Sequence, residues 1–446
     1  MVTPRGAAFE PPDMHVPDVD TTGGPPLRLP LAHVVVGLGF LLAGGGLGLL
    51  VLAGRLDGIA RLAPLHLLLL GWVCVTIMGA MEQFVPVWSG VDLHSRRLAD
   101  AALCLVTAGV VGLASAALFG RPRLLAFGLF AVAGLWVFVY TLCRTLPFGD
   151  VTERHFGYAL CALAVAAGLG GLLAVDYSVP VLTRVGLSHV AVRSAHATLA
   201  LLGGVLLTVV GALVQLGPMF VGSGDLDATA RRLVRVEEAT LPAGVVALAA
   251  GRAVAVASVA RLGALFVLVG VCCLGAVLVR VFLAEWTEPT PTATRYAVVT
   301  TGLLLWVVTA GSTLLAAPLE TGIVGPPAAA WTFGLALAAV LVGTLYHVVP
   351  FLVWDHRYAD RLGYEPVPMV DDLYDRRVAR VDFLGLVLGG AALVAGSGLG
   401  RHDVVVWGAV VGCAALTLAA LNLAGVVWSH APRDWPATGR VGGASE

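Results

Sequence analysis

The chain has 446 residues, 58% of them hydrophobic and only 12% charged, with a mean hydropathy of +0.91. Soluble domains run about 45–50% apolar and about 25% charged, so this composition excludes an ordinary soluble enzyme, a disordered chain and a nucleic-acid binder. All 27 basic residues are Arg, the net charge is −1, and no polybasic patch invites nucleic acid or an acidic protein. The chain reads as a single polytopic membrane domain whose first partner is the lipid bilayer.

Residues 1–30 are polar, rich in Pro and acidic side chains, and lack the apolar core of a signal peptide. They read as a disordered tail. Apolar segments long enough to span then follow near 31–53, 63–88, 99–118, 123–146, 156–176, 195–220, 236–256, 261–284, 295–317, 329–354, 382–399 and 404–428. The seventh is the weakest, because Arg252 interrupts its run of Ala, Val and Gly. The stretch 355–381 is the one substantial loop between spans, charged and broken by two prolines. Residues 431–446 form a C-terminal tail. Twelve spans put both termini on one side, which holds 18 Arg against 9 opposite. The positive-inside rule then places both termini in the cytoplasm of a cell whose plasma membrane the chain crosses. All seven cysteines fall inside apolar runs and read as small fillers.

The most informative pattern is a repeat. The second span reads HLLLLGWVCVTIMGAMEQFVPVW and the sixth HATLALLGGVLLTVVGALVQLGPMF. Gly71, Thr76, Gly79, Ala80, Gln83 and Pro86 match Gly203, Thr208, Gly211, Ala212, Gln215 and Pro218, each 132 residues on. A further 132 residues reach Gly343, His347 and Pro350 in LVGTLYHVVPFLVW. The block G-x-x-x-[QH]-x-x-P therefore occurs three times, which predicts three four-helix units of about 31–162, 163–294 and 295–426. Secondary transporters with twelve spans are more often built from two six-helix halves.

This 4 + 4 + 4 pattern, the style of the second span and the PFLVWDHRY stretch from Pro350 to Tyr358 resemble the haem-copper oxidase subunit I superfamily, in a divergent branch. The resemblance covers roughly residues 30–430. It implies an all-α fold of twelve transmembrane helices in three pseudo-symmetric four-helix arcs, with metal ligands on helices 2, 6, 7 and 10. It also implies membrane or redox partner subunits.

Ionisable groups inside the membrane are candidate functional groups, because burying them in hydrocarbon is costly. Of eleven histidines, His15, His94, His356 and His402 fall in the tail or loops. His33, His155, His189 and His430 lie near helix ends and read as interfacial or solvated; Glu82 of the second span could be a proton-pathway carboxylate, but reads first as an interfacial side chain snorkelling to water. His66, His196 and His347 remain. His66 matches the column in which the family places a low-spin haem ligand, and imidazole is a good axial ligand to haem iron. His196 falls at the same end of a parallel helix but is displaced by two residues from the position equivalent to His66, which is Thr198. His66 and His196 are thus the candidate haem ligands. His347 shares the column of Gln83 and Gln215, at the other end of the helices, roughly 26 Å of helix rise from His66. Gln83, Gln215 and His347 read as pore or interface polar residues.

The departures from the family are as informative. No histidine occurs between His196 and His347, so helix 7 supplies no copper ligand and the first half of helix 10 supplies no haem ligand. The chain is therefore expected to be neither a conventional terminal oxidase nor a nitric oxide reductase, and to hold no copper. Two readings stay open at this point. One is a non-catalytic or atypical haem-binding relative linked to respiration or nitric oxide handling. The other is a cofactor-free, permease-like or assembly protein on the same scaffold.

Overall fold

A computed structural model describes residues 25–220, 226–285 and 290–430. The 431–446 tail and most of the 1–30 tail lie outside the described residues. Among the described residues the chain is helical and contains no strand. Twelve long helices follow in order: α1 (Arg28–Leu52), α2 (Gly58–Ser89), α3 (Arg96–Leu118), α4 (Pro122–Thr145), α5 (Val151–Asp176) and α6 (His189–Gly217). Then come α7 (Ala228–Ala253), α8 (Ala257–Glu285), α9 (Pro291–Ala316), α10 (Pro327–Tyr358), α11 (Arg376–Gly398) and α12 (His402–His430).

Eleven of these are long and apolar enough to cross a membrane. The exception is α7. It runs 26 residues, enough to span at 1.5 Å per residue, but carries four Arg and two Glu. The chain is thus a polytopic helical membrane protein. Short polar side chains open many of the helices, as their unsatisfied N–H groups require. Ser95, Asp150, Ser188, Asp227, Thr290 and Asp375 each accept a hydrogen bond from the first turn of α3, α5, α6, α7, α9 and α11. The loop between α10 and α11 is broken by short 3₁₀ turns at Ala359–Arg361 and Val370–Asp372.

Consecutive helices pack side by side along the chain, and α12 returns to α1, which closes the bundle. The three most buried spans are α10, α6 and α2. These are the helices that carry the sequence repeat. In α2 the α-helical hydrogen bonding gives way to a π-helical stretch at Leu67–Cys74, and in α6 the same happens at Leu199–Leu206. The two stretches are offset by 132 residues at both ends. Pro86 lies in the last turn of α2, and α10 continues through Pro350 for two more turns.

One close contact recurs three times. A Cβ on Gly79 would overlap the Cβ of His33 on α1. A Cβ on Gly211 would lie 2.8 Å from the Cβ of His155 on α5, and one on Gly343 would lie 3.0 Å from the Cβ of Arg295 on α9. Each repeat glycine is therefore the flat seat on which one basic residue of the neighbouring helix rests. The flanking helices do not share the 132-residue period, and α5 runs across residues 162 and 163.

Candidate functional site

The first site lies where α2 and α6 begin. His66 ends the short α-helical stretch Leu62–His66, directly before the π-helical segment. Its Nδ1 donates to the Leu62 carbonyl at 2.9 Å. His196 is one turn before the matching segment of α6, and its Nδ1 donates to the Ala166 carbonyl of α5 at 2.8 Å. In each ring the bond to a carbonyl fixes the proton on Nδ1 and leaves Nε2 as the lone-pair nitrogen, the arrangement that orients a metal-ligating imidazole. Gly170 on α5 leaves the room that the His196 ring occupies, since a Cβ there would lie 2.8 Å from Cε1.

The two-residue displacement between the histidines has a structural reason. Thr198, which stands in the His66 column, is buried, and its hydroxyl accepts from Nη1 of Arg252 at 2.7 Å. Arg252 is itself buried and also binds the carbonyls of Pro318 and Ile323 at 3.0 and 3.1 Å. The column that carries a histidine in α2 is used in α6 to anchor this arginine. The residue that weakens the seventh span therefore ties α7 and the segment after α9 to α6.

The donor set can be tested against haem. Imidazole is a good ligand to haem iron, and His66 and His196 would be the residues to hold it. A bare metal ion bound by protein needs three or four side chains. Among the described residues, no group of three or more His, Cys, Asp or Glu converges. The residues present fit an iron porphyrin better than a bare ion.

The second constellation lies at the opposite end of α2, α6 and α10, and sequence reasoning did not reach it. His33 and His155, expected to be interfacial, are fully buried, as is Glu82, expected to snorkel. Each faces an opposite partner from another helix. His33 Nε2 lies 3.5 Å from Glu82 Oε2. His155 Nε2 lies 3.0 and 3.2 Å from the two carboxylate oxygens of Glu237 on α7. Arg295 bonds Asp382 on α11, whose other oxygen accepts from Tyr346 at 2.5 Å. A buried ion is costly unless it is paired or hydrogen-bonded, so each of these bases gains from its acid as Arg252 gains from the carbonyls it binds.

The partners follow columns. α3, α7 and α11 align as RRLADAALCLVTAGVV, RRLVRVEEATLPAGVV and RRVARVDFLGLVLGGA, which puts Ala102, Glu237 and Asp382 in one column. By the 132-residue period Glu82, Val214 and Tyr346 form another. The first unit keeps its acid on the second helix and an alanine on the third; the second unit does the reverse. Each unit sets one buried base on its glycine seat against one buried acid.

The pore or interface residues separate. Gln83 is buried and, with Thr76, Thr208, Tyr296 and Thr344, lines a cavity of about 90 Å³ between α2, α6 and α10. Its Oε1 has no hydrogen-bond partner among the described residues. Gln215 is exposed on α6. His347 is half-buried and stacks on Phe351 one turn away, with ring centroids 6.1 Å apart.

No protein-family model matches the chain, and no curated protein matches it by sequence.

Proposed function

We propose that the chain is a plasma-membrane protein of haem-copper oxidase subunit I-like architecture that binds haem between His66 and His196. In this reading α7 is the twelfth span, both termini are cytoplasmic, and three four-helix arcs surround the cavity between α2, α6 and α10. The recurrence of the glycine seat at Gly79, Gly211 and Gly343 supports the three-fold arrangement. So does the paired π-helical segment, a feature that often marks functional positions in helices.

The observation that carries the haem assignment is the pair of imidazoles just before the two π-helical segments, each with Nδ1 committed to a backbone carbonyl. Haem would supply one-electron chemistry there. His66 and His196 would hold it from two helices, and the buried Arg252 guanidinium, bonded to Thr198 two residues after His196, supplies positive charge at that end of the bundle. The role that follows is electron or gas handling beside a membrane or redox partner, without the metal set of a terminal oxidase. A visible absorption spectrum of the purified protein tests it. A Soret band is expected in the wild type, lost in His66→Ala and altered in His196→Ala. Full haem retention in the double variant overturns the site.

A second reading rests on packing. The space between α2, α4, α5 and α6, lined by Cys74, Met78, Phe138 and Leu163, amounts to about 10 Å³. That closure favours a cofactor-free scaffold with a permease-like or assembly role. A wild type that takes up no haem when haem is supplied in excess decides for it.

A further inference from the structure

We infer that Glu82 and His33 form a proton-exchange site inside the bundle, in which Glu82 holds a proton as a neutral carboxylic acid and trades it with water at the Asp100 end. Both side chains are fully buried. Neither carboxyl oxygen of Glu82 accepts a hydrogen bond among the described residues, and His33 Nε2 lacks a partner as well. An ionised carboxylate without donors is among the most costly groups to bury, whereas a neutral acid is far cheaper. The geometry favours the neutral form directly. His33 Nδ1 donates to the Leu29 carbonyl at 2.9 Å, and its Nε2 stops 3.5 Å from Glu82 Oε2. At that separation Nε2 makes no hydrogen bond to either oxygen, so no donor offsets the charge of an ionised Glu82.

The other two pairs are built differently. Glu237 lies within hydrogen-bonding distance of His155 through both oxygens, and Asp382 accepts from Arg295 and Tyr346. Those carboxylates have donors that hold them as anions. Arginine does not give up its proton in proteins, so the third pair is a fixed ion pair. The first pair has one proton to place and two sites for it. Transfer breaks the Glu82 O–H bond as the His33 Nε2–H bond forms, and the reverse step restores both neutral groups.

The route to water is marked by charge. Asp100 lies near the start of α3. It accepts from Arg28 at 2.5 Å, and both side chains of that pair are about two-fifths exposed. Arg28 lies five residues before His33 on α1, so the Arg28–Asp100 pair marks the aqueous rim nearest the buried pair. On the inner side Thr76 Oγ1 and Gln83 Oε1 lack partners and line the central cavity. They offer acceptors to water there.

Infrared spectroscopy of the full chain in lipid vesicles tests the site. A protonated-carboxyl stretch that shifts in D₂O is expected in the wild type and absent from Glu82→Gln. Glu82→Asp, which keeps an acid, is expected to move the band rather than remove it, and serves if the Gln variant does not fold. Asp100→Asn is expected to keep the band and slow its hydrogen–deuterium exchange at least tenfold. Dicyclohexylcarbodiimide, which adds to protonated carboxyl groups in apolar surroundings, is expected to label Glu82 and spare Glu237 and Asp382. An unchanged band in both Glu82 variants overturns the neutral acid, and an unchanged exchange rate in Asp100→Asn overturns the route. None of these readouts needs bound haem, so they stand or fall apart from the haem assignment.

Discussion

The first and third units solve one packing problem with opposite chemistry. In the third, Arg295 rests on Gly343, binds Asp382 and the Ala379 carbonyl, and lies over the rings of Tyr346 and Phe383. Tyr346 in turn accepts from Asn422 on α12 at 3.0 Å, so the network reaches a fourth helix. In the first, His33 rests on Gly79 and faces a single carboxyl group that no donor satisfies. The lesson is that burial alone does not fix a charge state. The donors around the carboxylate do, and these three pairs differ mainly in donors.

The largest effect is expected where a permanent charge loses its partner. Arg295→Met leaves Asp382 as an uncompensated anion and should cost about 3–5 kcal/mol, read as loss of unfolding free energy in detergent. The double change Arg295→Met with Asp382→Leu should restore most of that loss, because an apolar pair of similar volume needs no desolvation. If the single and double variants are equally unstable, the third pair is not the closed ion pair described.

The glycine seats sharpen the comparison next. An added methyl at Gly79 overlaps the His33 Cβ, at Gly211 it meets the His155 Cβ at 2.8 Å, and at Gly343 the Arg295 Cβ at 3.0 Å. Overpacking costs typically about 1–3 kcal/mol. The expected order of destabilisation on substitution by Ala is Gly79, then Gly211, then Gly343. Equal losses would mean that the three helix pairs relax freely and that the seats are not specific.

The repeat helices were legible in the sequence because α2, α6 and α10 keep a constant spacing, so glycine, polar and proline columns stay in register. The pairs were not. His155 and Glu237 are 82 residues apart, and Arg295 and Asp382 are 87 apart, on helices joined by loops of unequal length. The Arg-Arg starts of α3, α7 and α11 fall at 96, 231 and 376, so their spacing changes from one unit to the next. A search at fixed period passes over them. The acid also changes helix in the first unit, which hides its equivalence to Glu237 and Asp382. Histidines near helix ends read as solvated because a sequence shows depth along the membrane normal but not which face a side chain occupies. For the same reason His66 and His196 could be placed at one end, while the packing of His196 on α5 and the Arg252 anchor on Thr198 could not be read.

A smaller effect separates the first pair from the second. Glu82→Gln removes no hydrogen bond and, if Glu82 is neutral, no charge, so its cost should stay within about 1 kcal/mol. Glu237→Gln removes a charged acceptor from His155 and should cost about 1.5–3 kcal/mol. Unfolding free energies of the two variants, measured side by side, check the difference. Equal costs would place both pairs in the same charge state.

The smallest effect concerns how the second pair is held in place. Glu237 rides on α7, the most polar of the long helices, and α7 is capped by Asp227 at its aqueous end. Asp227 accepts from the Ala230 N–H at 2.6 Å and pairs with Arg280 of α8. The Ala230 N–H above all, and then Arg280, hold its carboxyl below the usual carboxylate range. A depressed value means that the cap's charge stabilises the fold above the unfolded value of about 3.9. That contribution fades as the pH falls through the folded value and is gone below it. Asp227→Asn keeps a capping oxygen but removes the titrating charge. Its thermal midpoint should therefore lie slightly below wild type near neutrality and converge on it under acid conditions. A midpoint difference that stays constant from neutral to acid pH would show that Asp227 acts as a hydrogen-bonding cap alone. The seat of Glu237 would then depend on His155 and the α7–α8 contact rather than on charge at the helix start.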